Sequence, residues 1–318
     1  MSALLSVHNL QSYFMTRTGV VKAVDGVTFS IDAGKTLAIV GESGCGKSMT
    51  ALSLLRLLPT PGRVVGGEIF FSGRDLLRLP DQEMRRIRGN KISMIFQEPM
   101  TSLNPVFRIG VQVAEVLTLH RGLSKRDALQ QAAELLQQVG IATPTERMHD
   151  YPHQLSGGQR QRIMIAMALA CNPQLLIADE PTTALDVTIQ AQILALLSQL
   201  KEERKMATLL ISHDLGVVAE HADDVAVMYA GLIVEQAPVQ NLFDNPRHPY
   251  TRGLLNCIPK FGRKGPLPTI EGQLPAADKR PDGCSFLQRC PENFAPCKNQ
   301  LPPLNQVAPD HFVRCWRD

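Results

Sequence analysis

Gly41-Glu42-Ser43-Gly44-Cys45-Gly46-Lys47-Ser48 follows a short apolar run at 37–40 and leads into a helical pattern that starts near Met49. Strand, glycine-rich loop and helix in that order make a phosphate cradle. Glycines let the loop turn back on itself, so consecutive backbone N–H groups and the N-terminus of the helix point at one anion. Lys47 supplies a point charge suited to terminal phosphates, and Ser48 a hydroxyl suited to Mg2+. The candidate contacts are Gly41 through Met49. A glycine-rich turn can be merely structural, but strand, lysine and serine in register argue for the phosphate reading.

Working outward, further buried strands are predicted at 92–96, 175–178, 209–212 and 225–228, with helical patterns between them. This alternation predicts an α/β fold with a mostly parallel sheet and helices on both faces. The run Leu175-Leu-Ile-Ala-Asp179-Glu180 ends a strand in two carboxylates. Asp179 would hold Mg2+ through water, and Glu180 would orient and deprotonate an attacking water. The bland alternative is an N-cap pair for the following turn.

Residues 98–160 have another texture. Val113, Val116 and Leu117, then Ala128, Leu129, Ala132, Leu135 and Leu136, recur at helical spacing and predict an inserted helical subdomain. After about Phe243 the chain turns Pro-rich and strand-poor and carries Cys284, Cys290, Cys297 and Cys315, a small appended module.

A chain of 318 residues with 44% apolar content and a net charge of +3 can bury one large or two modest cores, and its charge balance argues against a nucleic-acid partner. Apolar stretches such as 163–171 fall short of the ~18–20 residues of a membrane span. The start MSALLSVHNL lacks the basic and apolar regions of a signal peptide, so the expected location is the cytoplasm. Seven cysteines in a reducing compartment are not expected to form disulfides, and clustering of four points to metal or redox chemistry. No internal repeat is evident, so one nucleotide-binding unit is expected.

Leu155-Ser156-Gly157-Gly158-Gln159 resembles the signature motif of the ABC ATPase family, and it stands about 20 residues before Asp179, as in that family. Gln97, Ala184-Leu185-Asp186 and His213 match other family motifs in order, so the resemblance covers residues 1 to about 240. It implies a P-loop NTPase (RecA-like) core with an ABC β-subdomain at 1–97 and 161–240, a helical subdomain at 98–160 ending in the signature, and an extension at 241–318. It also implies that two such domains sandwich two ATP molecules head to tail. Each nucleotide then lies between one chain's phosphate loop and its partner's signature. Ser156 and the N–H groups of Gly157 and Gly158, ahead of a helix expected near Gln159, would form a second anion-binding helix N-terminus. Closure would depend on the γ-phosphate, so hydrolysis would open the dimer.

By the same resemblance His213 senses the γ-phosphate, Gln97 links Mg2+ to the helical subdomain, and Asp186 works across the dimer interface. Phe14 stands where the family stacks an aromatic ring on adenine, with neighbouring Tyr13 as the alternative. Cys45 occupies a variable loop position where Ser is common. A thiol at a helix N-terminus is expected to have a lowered pKa and to react with thiol reagents unless ATP protects it.

Ile95-Phe-Gln-Glu-Pro-Met-Thr-Ser-Leu-Asn-Pro105, the run 178–192 and Asn245-Pro-Arg-His-Pro-Tyr250 resemble the dipeptide/oligopeptide and nickel importer subfamily. This implies a peripheral subunit on the cytoplasmic face of the (inner) membrane, paired with a related ATPase beneath two permeases. A periplasmic or surface binding protein would feed them. The helical subdomain and the loop after Gln97 would receive a permease helix. Cargo stays open among dipeptides, longer peptides, glutathione and nickel chelates, as does homo- against heterodimer.

The cysteine tail resembles the same subfamily, some members of which carry a [4Fe-4S] cluster there. Its gaps of five, six and seventeen residues lack the C-x-x-C knuckles of most structural Zn2+ sites. Thiolates spread along irregular chain suit a larger cluster, favoured over zinc, whose binding would hold together a module with little core. Two other readings compete. A non-transport ABC ATPase of DNA repair, chromosome organisation or translation would bring a coiled-coil insertion or a second nucleotide domain, and neither is present. A soluble iron–sulfur assembly ATPase leaves the importer motifs unexplained.

Overall fold

Leu5, Val7 and Leu10 are buried while His8 and Asn9 face solvent, so the first long segment folds as a half-covered strand. In the computed structural model this is β1 (Leu5–Thr16). The structure describes residues 3–17, 19–97, 102–183, 185–258, 268–278 and 280–317. Glu98, Pro99, Met100, Thr101 and Ala184, which belong to motifs noted above, lie outside the described residues. The chain divides into two compact units, Met1–Arg78 with Leu210–Asp318, and Leu79–Leu209.

The first unit begins with β1, β2 (Gly19–Ile31), β3 (Thr36–Val40), helix α1 (Lys47–Leu54), β4 (Gly62–Phe71) and β5 (Arg74–Asp75). Four of these strands form an antiparallel sheet in the order β2-β1-β4-β5. All five residues of β3 are buried, the mark of a strand covered on both faces.

The second unit contains α2 (Asp81–Ile87), β6 (Ile92–Ile95), α3 (Ile109–Arg121), α4 (Lys125–Gln138), α5 (Pro144–Arg147), α6 (Gly157–Leu169), β7 (Leu175–Asp179) and α7 (Val187–Arg204). Strands β6 and β7 pair in parallel, Ile92 opposite Leu175. Val113 and Leu117, then Ala128, Ala132 and Leu136, each spaced four apart, share one buried core with Ile163 of α6. Gly122 ends α3 in a left-handed C-cap, and the Ser124 hydroxyl starts α4 by accepting from the Asp127 N–H.

The chain returns to the first unit through β8 (Ala207–Ser212), then α8 (Leu215–His221), β9 (Asp224–Tyr229), β10 (Leu232–Pro238), α9 (Val239–Asp244), α10 (Pro249–Asn256), α11 (Ala295–Asn299), β11 (Asn305–Ala308) and β12 (His311–Val313). β3 runs parallel to β9, while β9-β10, β10-β12 and β11-β12 are antiparallel. The tail is therefore less strand-poor than its Pro content predicts. It is pinned by Glu235, a fully buried carboxylate that accepts from the N–H groups of Arg247 (2.7 Å) and His248 (2.9 Å) and lies 2.8 Å from His311 Nε2. Among the described residues no helix is long and apolar enough to cross a membrane.

Candidate functional site

In the first unit, β3 delivers the chain into the phosphate loop. Gly44 (φ 82°) and Gly46 (φ 111°) adopt left-handed backbone. A Cβ on Gly46 would also stand 2.4 Å from the Ala23 carbonyl oxygen, so only glycine lets the loop close there. Gly46 is the N-cap of α1, with no side-chain cap and no acidic residue in the first turn. An uncapped N-terminus presents backbone donors and a partial positive charge. Lys47, only 6% exposed, folds back so that Nζ donates to the carbonyls of Gly41 (2.8 Å) and Glu42 (3.2 Å). Ser48 and Met49 follow in the first turn, Ser43 and Gly44 are exposed, and the loop surrounds an ammonium group held within its own curve.

Cys45 overturns an expectation. It is 1% exposed, and burial pushes its thiol pKa up, with Lys47 a weaker opposing influence. Desolvation of the thiolate outweighs the helix N-terminus. The aromatic pair is also distinguished. Tyr13 donates its hydroxyl to Asp25, Lys22 lies 5.5 Å above its ring, and burial with the Asp25 contact raises its pKa to about 12. Phe14, half-buried, packs its ring edge against Gly62. His213, beyond β8, is exposed, and Asp214 after it caps α8 by accepting from Gly216 and Val217.

In the second unit, β7 ends on buried Asp179. Glu180 next to it takes a left-handed φ of 46°, uncommon for a side chain of its size and a mark of imposed geometry. Its Oε2 accepts from Gln97 Nε2 at 2.8 Å and from Thr183 Oγ1 at 2.9 Å. The structure thus brings Gln97 and Glu180 together and adds Thr183, which no sequence signal singled out.

The signature forms the start of α6. The helix begins at Gly157, earlier than the expected Gln159, because Ser156 is its N-cap. Ser156 Oγ accepts from the Gln159 N–H at 3.3 Å, and Gln159 Oε1 accepts from the Ser156 N–H at 3.0 Å, a reciprocal capping box. Leu155 is buried in the helical core, and a Cβ on Gly158 would stand 2.9 Å from Ile189 Cγ2 of α7. Gln161 Nε2 donates to the Pro181 carbonyl, linking the signature helix to the turn after Glu180. Asp186 caps α7 by accepting from the Ile189 N–H at 3.0 Å. Beside it Val187 is 83% exposed.

The four tail cysteines line one narrow cavity in the first unit with His248, Pro249 and Phe286. Cys284 donates its N–H to the Cys297 carbonyl at 2.8 Å. Burial, reinforced by the other three thiols, raises the Cys284 pKa to about 11, and burial also raises that of Cys290. Among the described residues no group of three or more His, Cys, Asp or Glu is arranged to hold a metal ion.

A family model described as ABC transporter matches residues 24–183. The chain belongs to the ABC transporter family. It is an ABC ATPase, and a second model, described as the oligopeptide/dipeptide transporter C-terminal region, matches residues 234–297. A probable peptide ABC transporter ATP-binding protein of Sinorhizobium fredii is 54% identical over 317 residues, covering 99% of this chain and 95% of the relative. The oligopeptide transport ATP-binding protein OppD of Salmonella typhimurium is 50% identical, covering 99% and 94%. Among solved structures, a dimeric ATP-binding cassette in a post-hydrolysis state with ADP and Pi superimposes with a TM-score of 0.67 at 28% identity, covering 74% of this ABC ATPase and 98% of that chain.

Proposed function

We propose that this ABC ATPase is the motor of a peptide importer. The observation that carries the reading is the combination in one chain of the phosphate loop with the oligopeptide/dipeptide transporter C-terminal region. ATP binds with Mg2+ through Gly41 to Met49, with Phe14 on the adenine, because Tyr13 is already committed to Asp25 and Lys22. Lys47 reaches the terminal phosphates. Ser48, Asp179 and Gln97 serve Mg2+, Glu180 is the general base, and His213 senses the γ-phosphate. Leu155 to Gln159 complete the site of the partner ATPase, a related subunit, and Asp186 works at that interface. Exposed Val187 next to Asp186 supports such a contact.

The subunit sits on the cytoplasmic face of the membrane beneath two permeases supplied by a substrate-binding protein. Exposed Val106, Phe107, Val111 and Leu119, at and around α3, support a permease contact there. The functional parts are 1–97 with 161–240, 98–160 and 241–318. Affinity purification of the tagged protein from membranes should recover two integral permeases. Peptide uptake should cease with Lys47→Ala, and intact uptake in that variant refutes the reading.

Cys284, Cys290, Cys297 and Cys315 hold a [4Fe-4S] cluster, which supplies cross-linking of the Pro-rich tail through four iron–thiolate bonds. The gaps of five, six and seventeen residues, without C-x-x-C knuckles, favour it over zinc. Visible absorbance of anaerobically purified protein that survives in Cys290→Ser counts against it.

A further inference from the structure

Glu42, in the phosphate loop, is gripped by the C-terminal region at two points. Its carboxylate Oε2 receives Arg289 Nη1 at 3.0 Å, and its backbone N–H donates to the Tyr250 hydroxyl at 3.0 Å. Both contacts are built rather than incidental. Arg289 has only 5% of its side chain exposed and is held on its other edge by the carbonyls of Glu271 and Ile270. Its guanidinium lies 5.8 Å from the ring centroid of Tyr229 and 6.0 Å from that of Phe286. Tyr250 is fully buried and packs edge-on to Tyr229 with centroids 4.6 Å apart. An arginine so fixed acts as a preorganised donor. Glu42 is only half-buried and would otherwise be free to swing.

The consequence falls on the loop's shape. Lys47 Nζ takes the carbonyls of Gly41 and Glu42, so the position of Glu42 sets where the ammonium group sits. We infer that Arg289 and Tyr250 are positioning residues for the phosphate loop: through Glu42 the C-terminal region sets affinity for the nucleotide's phosphates. The inference rests on the reading of this loop as the ATP site. It gives the tail a function in the motor.

The test is the ATP dependence of hydrolysis by the complete transporter, with thermal stability measured alongside. Arg289→Ala should raise KM for ATP about tenfold, the equivalent of one well-made coupled pair, with kcat within about twofold. Arg289→Lys should recover part of the loss. Tyr250→Phe, the gentlest change, should raise KM severalfold at unchanged melting temperature. Because Arg289 acts through Glu42, the double variant Glu42→Gln/Arg289→Ala should be no worse than the poorer single variant. A KM unmoved in both Arg289→Ala and Tyr250→Phe overturns the inference, as does strict additivity in the double variant or a loss of kcat tracking melting temperature. Lys47→Ala separates the levels. If it binds ATP normally, the reading of the loop fails and this inference with it; if it loses ATP while Arg289→Ala does not weaken binding, only this inference fails.

Discussion

Gln97 donates from Nε2 to Oε2 of Glu180 across 2.8 Å, joining the end of β6 to the carboxylate that follows β7. The same oxygen takes the Thr183 hydroxyl, so two neutral donors help to orient the carboxylate. General base assistance is worth roughly 10² to 10⁴ in rate. Glu180→Gln should therefore retain ATP, remove most turnover and stabilise the nucleotide-bound dimer. Thr183→Val removes only an orienting contact and should lower kcat by about tenfold or less. Single-turnover hydrolysis in the two variants separates base from positioner, and near-normal turnover in Glu180→Gln defeats the assignment.

Gly158 sits where α6 meets α7, with room for no more than a hydrogen before Ile189. A methyl group there forces the Ile189 side chain aside, an overpacking that costs about 1–3 kcal/mol. Gly158→Ala should lower the urea midpoint and weaken dimer formation in ATP. A paired Ile189→Ala change, which removes the clashing Cγ2, should restore part of the stability. No rescue in the paired variant would show that the backbone, rather than this contact, demands glycine.

The motor half of the protein was legible because its chemistry is local. Residues 41–49 lie along one continuous stretch of chain, and the helical spacing from Val113 to Leu136 encodes one buried face. Relations that join distant segments were not legible. Nothing in the order of residues says that Gln161 reaches Pro181 or that Arg289 reaches back 247 positions to Glu42. The strand content of the tail was hidden because β11 and β12 hold only four and three residues. Cys45 was misread because neighbours in sequence suggested a helix N-terminus, whereas burial decides its ionisation.

That burial has a measurable sign. The thiol of Cys45 ionises at higher pH in the folded than in the unfolded chain, where it titrates as a free cysteine at about 8.5–9. Below pH 9 both forms are neutral and nothing is lost. As pH climbs past 9 the unfolded thiol ionises first, so the native state loses stability in that alkaline window. Cys45→Ser should show a shallower alkaline decline. Native Cys45 should label with thiol reagents far more slowly than a free cysteine at pH 8, with or without ATP. Rapid labelling that ATP suppresses would restore the reactive-thiol expectation.

The tail poses a different test, because its four cysteines come from segments with little regular structure of their own. Cys284 and Cys290 lie in loops, Cys297 is in the five-residue α11, and Cys315 follows β12. Short segments of this kind cannot bury enough surface to fix themselves, so ligand bonds would supply the missing order. Removal of the proposed cluster by an iron chelator under oxidising conditions should lower Tm, by roughly 2–4 °C for each kcal/mol lost in a large domain. Hydrogen exchange should rise first around Cys284 to Asn299, while β3 and α1 stay protected. Glu235 anchors β10 through hydrogen bonds that involve no thiol, so the β10-β12 pairing should survive the chelator. An exchange pattern unchanged by iron loss would mean that the protein packing alone orders the tail.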